Sequence, residues 1–129
     1  MNLVEEILLQ NGLTVAVWDK SIPIASDTTK VSLVITVKVP LEPSYFTGQD
    51  EFETVRRILG SEIFFEYKKE RTFVKDKDKD SVFQELLTNF KKNSLGYLGR
   101  STFPRSFAVS KYRDMQKNSY KYGPTGESR

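Results

Sequence analysis

The stretch Lys30-Val31-Ser32-Leu33-Val34-Ile35-Thr36-Val37-Lys38-Val39 decides the fold. Its odd positions are all apolar, whereas its even positions are polar except at Val34. Because successive side chains of a strand point to opposite faces of a sheet, this alternation predicts a strand with one buried face. Pro40 and Pro43 follow it and predict its end, since proline has no N–H to donate to a neighbouring strand.

Two further stretches share this alternation. Residues 13–18 predict a strand that pairs antiparallel with the strand at 31–39, across a loop at 19–29. Residues 62–74 predict a third, long strand. The edge of the strand at 30–39 is also the predicted surface for self-association, because an unpaired edge accepts another strand.

Helical spacing appears in four places. Residues 2–10 predict a short helix stopped by Asn11-Gly12, and residues 50–59 predict a helix ended by Gly60. The apolar stripe of residues 82–90 predicts a third helix, capped by Asp78 or Asp80 and ended near Gly96. Residues 104–117 fit either a helix or a strand, and Pro104 favours a helix because its missing N–H costs nothing in a first turn.

The expected fold class is therefore α+β. We expect a small antiparallel sheet of three or four strands packed against two or three helices, as a single layer pair. Residues 1–117 are predicted to form one domain and residues 118–129 a flexible C-terminal tail, since the tail is polar and contains Gly123-Pro124.

The chain of 129 residues contains no cysteine and no histidine. This excludes Ser-His and Cys-His nucleophile pairs and the usual zinc and haem ligands. The spacing Asp76-x-Asp78-x-Asp80 resembles a calcium-binding loop, but Ser81 and Leu87 stand where that loop needs Gly and Glu. We therefore predict no metal, no cofactor and no catalytic residue.

Charge is unevenly distributed along the chain. Residues 1–60 hold five Lys/Arg and eight Asp/Glu, whereas residues from 91 onward hold nine basic and two acidic ones. Neither a signal sequence at the N-terminus nor a run of roughly 20 apolar residues is evident. The sequence thus predicts a cytoplasmic protein that does not enter a membrane.

Two groups of residues predict binding sites. Cations interleaved with aromatic side chains suit a polyanion, because cations hold phosphates while aromatic rings stack on bases. The candidate polyanion-binding residues are Tyr97, Arg100, Arg105, Lys111, Tyr112, Arg113, Lys117 and Lys121. A candidate anion-binding strand end consists of Tyr67, Lys69 and Arg71, where the apolar face of the third strand becomes cationic.

Three short stretches carry a resemblance. Residues 11–15 (NGLTV), 66–71 (EYKKER) and 103–105 (FPR) resemble small bacterial proteins of uncharacterised function, over residues 11 to 113. The resemblance implies a bacterial cytoplasmic protein and no activity or ligand.

Three hypotheses of function remain open. The first is a non-enzymatic protein-binding or regulatory module, which could self-associate. The second is a binder of single-stranded nucleic acid or another polyanion through the basic, aromatic C-terminal third. The third is an enzyme that uses carboxylates or lysine.

Overall fold

The computed structural model describes residues 2–118. Its strands are β1 (Asn2–Leu8), β2 (Thr14–Asp19), β3 (Ile22–Ala25), β4 (Thr28–Pro40) and β5 (Glu62–Lys75). Its helices are α1 (Gln49–Leu59), α2 (Lys79–Leu98) and α3 (Phe103–Lys117), with short 3-10 helices at Pro43–Tyr45 and Asp76–Asp78. The predicted α+β class, a small antiparallel sheet with helices, is confirmed.

Strand β4 is the centre of the sheet. It pairs with β2 from Val15↔Val37 to Asp19↔Leu33, and with β3 at Ile22↔Lys30 in the same register. Since β2 and β3 follow one edge of β4, its pairing with β5 uses the other edge. The predicted self-association through the edge of residues 30–39 is therefore wrong, because both edges are already paired.

The predicted helix at residues 2–10 is also wrong: this segment is the outer strand β1, antiparallel to β2. The apolar residues Leu3, Val4, Ile7 and Leu8 have helical spacing, but pairing with β2 overrides this local pattern, and an outer strand with mostly exposed side chains shows no alternation that would reveal it. Asn11-Gly12 forms the turn between the two strands, and Gly12 takes φ 89°, which glycine adopts without steric cost.

The other helices agree with the sequence except at their ends. Residues 104–117 are helical, which is the alternative that Pro104 favoured over a strand. Helix α2 continues through Gly96 to Leu98, because one glycine weakens a helix without ending it. Neither predicted aspartate cap forms: Asp78 precedes α2 but makes no side-chain capping hydrogen bond, and Asp80 lies inside the first turn. The 3-10 helix just before α2 leaves Asp78 in a helical conformation, which does not suit a cap.

The described residues divide into two compact units, and each is described by itself. The first unit comprises residues 2–37 and 65–100, and the second comprises 38–64 and 101–118. The first buries a row on β2 and β4 together with the apolar stripe of α2: Val15, Val17, Val31, Leu33, Ile35, Val37, Phe83, Leu86, Leu87, Phe90 and Leu98. The second buries Val39, Phe46, Val55, Ile63, Phe103, Ala108 and Met115.

The one-domain boundary at 1–117 and the flexible tail stay predictions, and residues 119–129 lie outside the described part of the chain. Among residues 2–118, no helix combines the length and apolar character needed to cross a membrane.

Candidate anion-binding cleft

Helix α3 carries two different faces in the second unit. One face is buried through Phe103, Ala108 and Met115. Another face lines a cleft through Arg105, Ser106, Val109, Tyr112, Arg113 and Gln116. These six positions recur at intervals of three, four or one residues, which is the spacing that places side chains along one side of a helix.

The other wall of the cleft comes from the segment after β4. A 3-10 helix at Pro43–Tyr45 turns the chain, and the N–H of Phe46 donates to the carbonyl of Pro43 at 3.1 Å. Phe46 is buried, with its ring 6.1 Å from that of Tyr112 in an edge-on contact and 6.2 Å from that of Phe52. Phe46 thus joins α1, α3 and the 3-10 helix and fixes the position of Tyr45.

The cleft has a volume of about 510 Å³ and a cationic lining. Its charged residues are Arg105, Arg113 and Glu51. Glu51 accepts a hydrogen bond from the backbone N–H of Thr47 at 3.2 Å, at the start of α1. Neither guanidinium makes a hydrogen bond or ion pair with any residue in the range 2–118. Both arginines are therefore available to an anionic ligand.

Two tyrosines add hydroxyl groups to the cleft. Burial raises the pKa of Tyr45 above its ordinary value, and the nearby carboxylate of Glu42 raises it further. Tyr45 therefore keeps its proton at neutral pH and can donate it. The hydroxyl of Tyr112 accepts a hydrogen bond from the side-chain amide of Gln116 at 3.0 Å, so its own proton remains free to donate.

The structure brings together only part of the predicted polyanion set. Arg105, Tyr112 and Arg113 line the cleft. Lys111 points elsewhere on α3, with its ammonium 5.9 Å from the centre of the Phe107 ring, and Lys117 is exposed in the last turn. The remaining residues fall elsewhere in the chain: Tyr97 and Arg100 belong to the first unit, and Lys121 lies outside the described residues.

The predicted strand end on β5 is largely occupied within the first unit. The ring of Tyr67 lies 5.2 Å from that of Phe90 on α2. Arg71 lies 3.9 Å from a carboxylate oxygen of Glu85 on the same helix. Lys69 is exposed and is the one member of the row with no partner among residues 2–118. This row presents less unpaired positive charge than the α3 cleft.

Sequence reasoning missed Tyr45, Thr47, Ser106 and Gln116 as cleft residues. Ser106 and Gln116 could have been found, because they lie on the same helical side as Arg105 and Tyr112. Tyr45 could not, because its position depends on the turn after Pro43 and on the contacts of Phe46.

No group of three or more metal-ligating side chains occurs within residues 2–118. Asp76 instead accepts a hydrogen bond from the hydroxyl of Thr29 at 2.6 Å. Comparisons of the chain with protein-family models, curated proteins and solved structures return no match.

Proposed function

We propose that this protein is a binding module that takes single-stranded nucleic acid in the α3 cleft. The observation that carries the proposal is the presence of Arg105 and Arg113 in one cleft, both without a partner among residues 2–118, beside the rings of Tyr45 and Tyr112. Guanidinium groups bind phosphates, and aromatic faces stack on bases regardless of sequence.

The spacing along α3 supports a chain-like ligand. Eight residues separate Arg105 from Arg113, which corresponds to about 12 Å along a helix axis. That span is longer than one phosphate group, so the two arginines suit two phosphates of one strand. Tyr112 lies close to Arg113 on the same side of the helix, where a base can reach its ring.

The test is fluorescence anisotropy of a labelled 12-nucleotide oligo-dT strand at increasing salt. We expect Arg105→Ala and Arg113→Ala each to weaken binding, and the double variant to reduce the slope of log affinity against log salt by about 1.4, since each single-strand phosphate contact contributes about 0.7. Arg56→Ala is the charge-matched control, because Arg56 is exposed on α1 of the same unit and does not line this cleft.

Stacking is tested separately. Tyr112→Ala should weaken binding, whereas Tyr112→Phe should retain the ring and its edge contact with Phe46. Equal binding by the wild type, the double arginine variant and Arg56→Ala would refute the proposal. If an acidic peptide of the same charge competes as well as the oligonucleotide, the cleft is a general polyanion site and the nucleic-acid assignment is wrong.

A further inference from the structure

Strand β5 leaves one edge without a partner strand in the described part of the chain. It pairs with β4 along its other edge only. Toward its C-terminal half, residues on both faces are exposed, among them Lys68, Lys69, Arg71 and Thr72. The unpaired N–H and C=O groups of such an edge can accept another strand.

Phe73 is an unusual residue at the end of this edge. Its side chain is 79% exposed, more than any other large hydrophobic side chain among residues 2–118. Its φ of 57° is in the left-handed region, which a bulky side chain rarely adopts. The ring of Phe73 is therefore accessible to a second chain at the end of this edge.

We propose that β5 pairs antiparallel with β5 of a second copy of this chain, about a two-fold axis at Lys69. This register places Lys68 opposite Glu70 of the partner subunit, and Tyr67 opposite Arg71 of the partner subunit. By symmetry each contact forms twice. Opposite charges directly across two strands stabilise the pairing, and an arginine over a tyrosine ring adds to it.

The same register also gives the exposed side chain of Phe73 a contact in the dimer. It brings Phe73 beside Phe65 of the partner subunit at each end of the paired segment. Aromatic pairs across strands are among the favourable ones. The unfavourable contact is Lys69 opposite Lys69 of the partner subunit, whose long side chains can turn away from each other toward water.

Neighbouring registers are less favourable. Because a slip by a single residue turns facing side chains to opposite faces of the sheet, the competing registers place the two-fold axis one residue earlier or later along β5. The earlier axis sets Lys68 opposite Lys68 of the partner subunit, and the later axis sets Glu70 opposite Glu70 of the partner subunit. Since like charges directly opposite destabilise a pair of strands, the charges of β5 select one register.

The other outer strand suits self-pairing less well. Antiparallel pairing of β1 with itself near its middle brings Glu5 or Glu6 against a carboxylate of the second copy. β5 is therefore the edge that fits a second copy.

The experiment is a charge swap measured by sedimentation velocity over a concentration series. Alone, Lys68→Glu sets two glutamates opposite each other in the dimer, and Glu70→Lys sets two lysines opposite each other. We expect each variant to weaken self-association by about tenfold, since each dimer contains two such contacts. An equimolar mixture of the two variants restores both ion pairs and should associate within about threefold of the wild type.

Phe73→Asp gives a second test that does not involve Glu70, which also contacts Lys30, Ser32 and Lys68 in its own chain. Because Phe73 is exposed, this change should weaken the dimer at least tenfold and leave the circular dichroism spectrum unchanged. Leu8→Asp is the matched control, since Leu8 is 75% exposed on the opposite outer strand β1. A wild type that stays monomeric at millimolar concentration would overturn the proposal, as would a mixture of charge variants that associates no better than either alone.

Discussion

Asn11 gives a prediction that can be worked through from the structure. Its side-chain amide donates to the carbonyl of Leu98 at 2.8 Å and to that of Arg100 at 2.9 Å. Its carbonyl oxygen accepts from the N–H of Leu13 at 3.1 Å. One side chain thus connects the turn between β1 and β2 to the C-terminal end of α2, where the carbonyls of a helix lack helical partners.

Asn11→Ala removes these three hydrogen bonds. Each is worth roughly 0.5–1.5 kcal/mol net, and the exposed carbonyl of Arg100 regains water, so we expect the free energy of unfolding to fall by about 2 kcal/mol. Asn11→Asp retains the acceptor for Leu13 but replaces both donors with a carboxylate. The added charge lies at the negative end of the α2 dipole, which costs about 0.5–1 kcal/mol more.

The expected order of stability is therefore wild type, then Asn11→Ala, then Asn11→Asp. Urea unfolding followed by circular dichroism measures it, with the m-value constant across the series. Asn93→Asp is the control, since it adds the same charge at an exposed position of α2 and should change stability by less than about 0.5 kcal/mol. An Asn11→Asp variant at least as stable as Asn11→Ala would refute the reasoning.

Two further predictions concern pH and glycine. A hydrogen bond from Lys68, together with the charges of Lys30 and Lys68, lowers the pKa of Glu70. The stability that ionised Glu70 contributes is therefore present above the ordinary glutamate pKa and is lost as the pH falls through the lowered pKa. The stabilities of the wild type and Glu70→Gln should therefore converge at low pH, as measured by acid unfolding. Gly60 takes φ 90° and ψ −165°, which an L side chain avoids, whereas Gly96 lies inside α2 with open space at its Cβ position. Gly60→Ala should lower the free energy of unfolding by about 1–3 kcal/mol, and Gly96→Ala should raise it by up to about 1 kcal/mol. The melting temperature should therefore fall in the first variant and rise in the second, and calorimetry that gave the same sign for both would contradict this.

The sequence predicts the sheet well where a face is buried. The alternation at residues 31–39 identifies β4, since every odd side chain there is buried. It predicts β1 poorly, because an outer strand has exposed side chains such as Leu8 and no burial pattern to separate strand from helix. Asn11-Gly12 is typical of a hairpin turn between two strands, but it is also typical of the end of a helix. The choice between these structures therefore depended on the prediction for residues 2–10.

The sequence predicted which types of residue form the candidate site, but not which individual residues line it. Basic and aromatic residues of the C-terminal third indicate an anion site, and Arg105, Tyr112 and Arg113 do share a cleft. The opposite wall comes from the turn that holds Tyr45, some 60 residues earlier in the chain. Such a contact depends on tertiary packing around Phe46, which no local pattern encodes.

The central position of β4 has a consequence for how the molecule opens. Residues 33–37 pair with β2 on one edge of β4, whose other edge pairs with β5, and four of these five side chains are no more than 2% exposed. Their amide hydrogens cannot reach solvent through fraying of the outer strand β1 or of the tip between β3 and β4. Hydrogen exchange at these amides should be the slowest in the sheet, and its rate should measure the free energy of separating the whole sheet rather than one hairpin.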